Sequence, residues 1–102
     1  LNLGTLKVFG DMDRKVSRLA VSPGSGKSAV SPAIAAGADV LVTGDIGHHE
    51  GLDAVARGLA VIDAGHYGTE YIFLDDMKQF FGSRLPGIGT VVEPVVHPFQ
   101  VI

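Results

Sequence analysis

The segment Ala38-Asp39-Val40-Leu41-Val42-Thr43-Gly44-Asp45 decides the fold, because in it a nearly unbroken apolar run, Ala38 to Val42, leads into a polar exit. A second apolar run, Leu59 to Ile62, ends in the same way. Such runs are typical of strands buried on both faces, as in parallel sheets covered by helices. Between them, His48 to Arg57 is predicted to form the crossover helix. The sequence therefore predicts an α/β fold, with a mixed sheet of largely parallel central strands and crossover helices in two or three layers.

The amino-terminal side is predicted to begin with a hairpin. Its two short strands are Thr5 to Phe9 and Arg18 to Val21, on either side of a polar turn. A glycine-rich loop, Ser22 to Ser28, comes next. It leads into a short helix over Ala29 to Ala36 that Gly37 ends.

The carboxyl-terminal side begins with the clearest helical pattern in the chain. Apolar residues recur at steps of three or four while charged and polar residues occupy the other side. These apolar positions are Tyr67, Tyr71, Leu74, Met77 and Phe81. The pattern predicts one amphipathic helix ending at Gly82. The tail, Thr90 to Ile102, has β-branched runs interrupted by prolines, which is typical of edge strands or of a segment that docks on a neighbour.

The bulk composition favours one domain that buries further surface by association. The chain has 102 residues, of which 46% are hydrophobic and 19% charged, and its mean hydropathy is +0.32. We expect a homo-oligomer. The net charge is −3 and the basic residues are scattered along the sequence, so the sequence does not indicate the basic patch that binds nucleic acid or an anionic membrane.

Other global features concern the compartment. Cysteine is absent from the sequence, which excludes disulfides and thiolate metal sites and is compatible with the cytoplasm. No apolar run approaches the roughly 20 residues that cross a bilayer, and the start lacks the order of a signal peptide. The chain begins without methionine, which together with its length is consistent with a piece of a larger protein. We expect a cytoplasmic protein.

Polar side chains follow each of the three apolar strands. If these strands are parallel, their exits lie along one edge of the sheet, and in open α/β folds ligands bind at that carboxyl edge. The residues expected to gather there are Ser25, Asp45, His48, His49, Asp63, His66 and Glu70. This convergence is the main structural reason to predict a site.

His66 and Glu70 are the candidate metal ligands. They are spaced i and i+4 at the start of the amphipathic helix, so their Cβ atoms are expected about 5–6 Å apart on one face. Imidazole nitrogen with carboxylate oxygen suits zinc, iron or manganese, and a carboxylate can also span two ions. The alternative is an ordinary exposed pair. The flanking Gly65 and Gly68 favour a site, because glycine in a first turn otherwise weakens a helix.

Three further residues are candidates for a place near the metal. Of the two adjacent histidines, His49 is favoured over His48 to face His66, since neighbours on a helix point about 100° apart. Alternatively, Asp45 caps the second helix and both histidines lie at its solvated start. Asp63 either orients a metal-bound histidine or accepts backbone amides at its strand exit, and we favour the second role.

Ser25, Gly26 and Lys27 form a candidate anion site. The strand, loop and helix order is that of a phosphate-binding loop, but the first glycine of that motif is replaced by Val21. We therefore expect no nucleoside-triphosphatase loop. Backbone amides and Lys27 are predicted to hold, at most, the phosphate of a small molecule.

Several blocks, taken together, resemble the carboxyl-terminal half of the NGG-interacting-factor-three-like proteins, which are also labelled GTP cyclohydrolase 1 type 2 homologues. The blocks occur in the family's order and cover nearly all of the chain. They are Ala20–Gly26, Gly37–Val40, Thr43–Asp45, His49, Ile62–Tyr67 and Thr69–Glu70.

The resemblance implies a single α/β domain over residues 1–102 that is equivalent to half of the family fold. It implies a hexameric ring whose subunits each carry a dinuclear centre of divalent metal ions. His66 and Glu70 match the last two ligands, while the other ligands, a histidine pair and an aspartate, belong to an amino-terminal half that is missing here. His48 and His49 follow the Thr-Gly-Asp block, so that role is not transferred to them.

Two functions follow as hypotheses. In the first, the domain contributes ligands to a dinuclear centre of a metal-dependent hydrolase, with no catalytic residue identified. In the second, it is a non-catalytic, metal-dependent assembly or partner-binding module. Under either hypothesis, the 102-residue chain alone is expected to be inactive and to retain metal weakly, because two protein ligands leave too many positions to water.

Overall fold

The computed structural model describes residues 3–100 and 102. They separate into an amino-terminal unit, Leu1–Glu70, and a carboxyl-terminal unit, Tyr71–Ile102. Within this described part, no helix combines the length and apolar character needed to cross a membrane. In chain order the elements are β1 (Lys7–Phe9), β2 (Leu19–Ser25), a 3-10 helix (Lys27–Ala29), α1 (Val30–Ala35), β3 (Val40–Gly44), α2 (His48–Ala56), β4 (Ala60–Asp63), α3 (His66–Glu70) and α4 (Ile72–Arg84).

The amino-terminal unit is built on a four-stranded mixed sheet in the order β1-β4-β3-β2. β3 pairs in parallel with both β2 and β4, and β1 is antiparallel to β4. The predicted α/β class with parallel central strands is therefore confirmed. Each parallel pair is joined through a helix, as the crossover connection of parallel strands requires.

The core lies between the central strands and the two longer helices of this unit. Leu41 of β3 is paired with Val61 of β4, and both side chains are almost fully buried. Val30 and Ala33 of α1 and Ala54 of α2 belong to the same hydrophobic cluster, so α1 and α2 cover one face of the sheet. The burial of apolar area in this cluster supplies the main stabilising term.

The predicted opening hairpin is wrong. β1 and β2 lie at opposite edges of the sheet, and residues 10–18 connect them past the amino-terminal ends of β4 and β3. The Asp39 carboxylate accepts hydrogen bonds from the amides of Ser17 and Arg18, both at 2.8 Å, and Arg14 donates to the Gly58 carbonyl at 2.6 Å. These long-range bonds hold the connection in place. The hairpin was predicted from two short apolar runs, and such a local pattern does not indicate bonds between distant residues.

The chain from His66 onwards differs from the sequence expectation both in its helix and in its tail. The predicted single helix is divided into α3 and α4 at Tyr71, although the Tyr71 backbone remains in the right-handed helical region. Over Ile72–Arg84, all of which the structure describes, no residue is buried. The described residues of 90–102 contain no strand, so the edge-strand interpretation is wrong there. Docking of this tail on a neighbour stays a prediction.

Candidate metal-binding site

The strand exits converge, as the sequence predicts. The Gly24 amide donates to Thr69 Oγ1 at 3.0 Å, which ties the end of β2 to α3. The Ala64 amide donates to the Thr43 carbonyl at 2.8 Å, which ties the exits of β3 and β4 together. The carboxyl edge of the parallel strands is therefore a closely bonded surface on which α3 lies.

Two glycines permit this approach. A Cβ atom on Gly44 would lie 2.5 Å from the Gly65 carbonyl oxygen, so any other residue would force the two loops apart. Gly24 has a φ of +63°, and a Cβ there would lie 2.7 Å from Glu70 Oε1 and 3.4 Å from His66 Nε2. Sequence reasoning missed this role of Gly24. The sequence feature that could have indicated it is a glycine at a strand exit, Gly24, in a chain whose later residues include the candidate metal pair His66 and Glu70.

Asp63 holds the two loops that flank it. Its side chain is 1% exposed and accepts hydrogen bonds from the amides of Asp45 (2.9 Å), Ile46 (3.1 Å) and Gly65 (2.9 Å). Lys7 Nζ lies 2.6 Å from its Oδ2. Burial by itself raises the pKa of Asp63, but Lys7 and the amides of Gly65 and Ile46 outweigh it and keep the pKa below its usual value. The favoured sequence interpretation, acceptance of backbone amides, is confirmed.

Asp45 contacts the candidate metal pair directly. Its Oδ2 lies 2.7 Å from His66 Nδ1. The predicted capping of α2 by Asp45 is wrong, because the residue at the amino-terminal cap is Gly47 and no side chain caps this helix, whereas His48 and His49 do lie exposed at its start. Asp45 has a φ of +51°, and this left-handed turn accompanies the contact with α3 in place of the α2 cap.

His66 and Glu70 face each other on α3. His66 Nε2 lies 3.3 Å from Glu70 Oε2, and both side chains are about half exposed. Two ligands of one tetrahedral zinc ion, each bonded at about 2.1 Å, are about 3.4 Å apart. The donor types and their separation therefore match those of two ligands of one divalent ion.

The charge around His66 also bears on metal binding. The hydrogen bond with Asp45 and then the negative charge of Glu70 raise the pKa of His66 above its usual value. Without metal, the imidazolium form is stabilised between two carboxylates. A metal ion must displace that proton, so binding is expected to weaken as the pH falls through the raised pKa.

The other candidate residues lie in two different settings. The His48 and His49 rings are edge to face with centroids 5.5 Å apart, and no hydrogen bond or ion pair links His49 to His66 in the described part of the chain. Lys27 Nζ lies 3.0 Å from Glu50 Oε1, and this contact holds the pKa of Glu50 below its usual value. Among residues 3–100 and 102, no group of three or more acidic or histidine side chains is placed to hold a metal ion.

Two donors of the candidate anion loop are engaged within the fold. The Gly26 amide donates to the Gly44 carbonyl at 3.0 Å, and Ser25 pairs with Gly44 in the sheet. With Lys27 paired to Glu50, an anion would have to compete for the Gly26 amide and the Lys27 ammonium. Phosphate binding at Ser25, Gly26 and Lys27 stays a prediction.

The fold and this edge define an α/β domain with a mixed sheet, and with a paired histidine and carboxylate at the carboxyl edge of its parallel strands. The chain belongs to the Duf34/NIF3 (NGG1p interacting factor 3) family, whose sequence profile matches residues 1–100. The resemblance seen in the sequence blocks is thereby confirmed.

Individual relatives agree with this assignment. A GTP cyclohydrolase 1 type 2 homolog of Staphylococcus aureus (strain COL) is 41% identical over 107 residues, which cover 100% of this chain and 29% of that protein. The crystal structure of Staphylococcus aureus protein SA1388 superposes with a TM-score of 0.84 at 34% identity, covering 99% of this chain and 30% of that one. Reduced HcgD from Methanocaldococcus jannaschii gives a TM-score of 0.66 at 35% identity, covering 79% and 34%.

The relatives are much longer than this chain. It spans between 21% and 29% of the length of the Staphylococcus aureus relatives that it matches in sequence. Most residues of each relative therefore have no counterpart in this 102-residue chain, and the activity of a whole relative is not assigned to the chain on this basis.

Proposed function

We propose that this domain donates His66 and Glu70 to a divalent metal site of a metal-dependent hydrolase. The observation that carries the proposal is the 3.3 Å separation of His66 Nε2 and Glu70 Oε2, with the opposite ring nitrogen held by Asp45. A histidine whose second nitrogen is hydrogen-bonded to a carboxylate is the usual arrangement of a metal ligand in proteins.

The proposed site is completed by residues outside this chain. His66 and Glu70 supply two donors, and we propose that a histidine pair and an aspartate of an amino-terminal half supply the rest of a dinuclear centre. Zinc, iron and manganese are the expected ions. When bound, such ions lower the pKa of a coordinated water and polarise a phosphoryl or carbonyl oxygen. The names of the relatives, GTP cyclohydrolase 1 type 2 homolog, support a hydrolase, with a phosphate-bearing small molecule as the proposed substrate class.

A second candidate is a non-catalytic module in which metal organises an assembly. It is favoured by the large apolar side chains exposed on the carboxyl-terminal unit, among them Ile72, Phe73 and Phe80, each more than half exposed. Such surface is typical of chains that associate. We propose homo-oligomers, as a hexameric ring in the cytoplasm, for either candidate.

The first test locates weak metal binding on the 102-residue chain. Mn²⁺ is titrated into isotope-labelled protein at neutral pH, and paramagnetic line broadening is followed for every assigned residue. Broadening should begin at His66, Glu70 and the neighbouring Gly24. His66→Ala and Glu70→Ala should each abolish this local broadening, since a single protein ligand retains the ion too weakly to be seen.

Matched controls separate a site from general attraction of a cation by an acidic chain. His97→Ala and Glu93→Ala remove the same side-chain types from the tail and should leave broadening at His66 unchanged. Unaltered broadening in both His66→Ala and Glu70→Ala would overturn the proposed site. Activity of a longer protein against phosphate compounds, with and without chelator, then separates the hydrolase from the assembly module.

A further inference from the structure

Asp45 occupies a backbone conformation that is unfavourable for its residue type. It is the residue other than glycine with positive φ in the described part of the chain, at +51°. Left-handed backbone on such a residue costs free energy, although aspartate tolerates it better than most. Strain of this kind persists where the surrounding structure enforces it, and it is concentrated at functional sites.

Hydrogen bonds from both loops enforce this conformation. Asp63 Oδ1 accepts from the amides of Asp45 and Gly65, each at 2.9 Å, and so joins the loop after β3 to the loop after β4. Its Oδ2 accepts from Ile46 and pairs with Lys7. The buried carboxylate thereby fixes the backbone of Asp45 relative to that of the turn leading into His66.

The contact between the Asp45 carboxylate and the His66 ring bears on which ring nitrogen of His66 carries the proton. A neutral imidazole has one proton to donate, and two carboxylates compete for it. Asp45 Oδ2 is 2.7 Å from Nδ1, whereas Glu70 Oε2 is 3.3 Å from Nε2. The shorter contact favours the tautomer that carries its proton on Nδ1 and leaves the Nε2 lone pair facing Glu70.

We propose that Asp45 is a positioning residue that selects the Nδ1–H tautomer of His66 and so presents Nε2 to the metal, with Asp63 and Lys7 holding Asp45 in place. This role rests on the proposed metal function of His66 and Glu70. It explains why aspartate stands at a left-handed position where glycine would be free of backbone strain.

The first experiment needs no metal. Long-range ¹H–¹⁵N correlation spectra of the metal-free chain, recorded at a pH where His66 is neutral, report which ring nitrogen is protonated. The unmodified chain should show His66 mainly as the Nδ1–H tautomer. In Asp45→Gly the population should move towards Nε2–H, because Glu70 is then the remaining carboxylate partner. Asp45→Asn, whose amide oxygen can still accept, should give an intermediate population.

The second experiment measures metal binding in the same variants. The Mn²⁺ concentration that half-broadens His66 should rise about 10- to 100-fold in Asp45→Gly, the usual loss when the carboxylate partner of a histidine ligand is removed. Asp53→Asn removes one negative charge from an exposed pair with Arg57 and should leave that concentration unchanged. The thermal midpoint of Asp45→Gly should be retained, because glycine relieves the positive φ.

The outcomes separate this role from the metal site itself. An unchanged His66 tautomer in Asp45→Gly would overturn the positioning role, whatever the metal does. A changed tautomer with unchanged Mn²⁺ binding would show that the contact does not serve the metal. If His66→Ala binds Mn²⁺ normally, the proposed function fails instead, and the tautomer measurement still decides whether Asp45 controls the ring.

Discussion

The two units of this chain differ in how far their apolar side chains are buried. In the amino-terminal unit, Leu41, Leu59 and Val61 are each at most 1% exposed, and the polar side chains gather at one edge of the sheet. In the carboxyl-terminal unit, α4 has no buried residue along its described length, and Leu74 is 38% exposed. An amphipathic pattern thus identifies a face that suits burial without identifying its partner.

The largest expected effect comes from the same truncation placed in each unit. Leu41→Ala should lower the free energy of unfolding by about 3 kcal/mol, because it leaves a cavity in the central strand. Leu74→Ala should lower it by less than about 1 kcal/mol, since much of that side chain already contacts water. Denaturant unfolding of both variants at one low protein concentration gives the comparison.

If Leu74→Ala lowered the free energy of unfolding as much as Leu41→Ala does, the described difference in burial between the two units would be wrong. A concentration-dependent loss for Leu74→Ala would mean that α4 is buried by another chain in solution. That result would support the proposed oligomer.

The sequence predicted the parallel strands and the convergence at their carboxyl edge because both follow from local patterns, an apolar run and the residues after it. It also predicted that His66 and Glu70 lie close together, because their spacing within one helix fixes their proximity. It failed on the opening hairpin, because the position of β1 beside β4 depends on contacts more than 50 residues apart in sequence, such as that of Lys7 with Asp63.

The same distinction explains the details of the site that sequence reasoning missed. The contact of Asp45 with His66 occurs together with a left-handed backbone at Asp45, which no residue pattern indicated. The proximity of Gly24 to Glu70 depends on how α3 lies on β2. In both cases the geometry arises from tertiary bonds through Asp63 and Thr69, so a single sequence offers only a list of nearby candidates.

A second test adds one methyl group to a tightly packed glycine of the amino-terminal unit. Gly44→Ala should lower the free energy of unfolding by about 3 kcal/mol, because the new Cβ would lie 2.5 Å from the Gly65 carbonyl oxygen. Gly4→Ala, with nothing within 4 Å of its added Cβ, is the matched control and should change it by less than about 0.5 kcal/mol. Equal effects would show that the two strand exits are not held together as described.

Acid should act on the amino-terminal unit through Asp39. Amide hydrogen bonds from Ser17 and then Arg18 lower the pKa of Asp39 below 3.8. Because the folded-state pKa is the lower one, this stabilisation is present above the unfolded-state pKa and is lost as the pH falls through the folded-state value. The free energy of unfolding, measured from pH 6 to pH 2, should therefore decline less steeply in Asp39→Asn than in the unmodified chain. Identical slopes in the two proteins would contradict the bonds that hold residues 10–18 to Asp39.

The smallest expected effect has the opposite sign and lies in the carboxyl-terminal unit. Gly82 is inside α4, and nothing lies within 4 Å of an added Cβ. Gly82→Ala should therefore stabilise α4 by about 0.5–1 kcal/mol, because alanine loses less backbone entropy in a helix. Slower amide exchange across Ile72–Arg84 would measure this gain. A loss of stability instead would mean that Gly82 lies against another chain in solution. The exposed helix would then be an interface. In that case both units bury their apolar side chains, the amino-terminal unit within itself and the carboxyl-terminal unit against another chain.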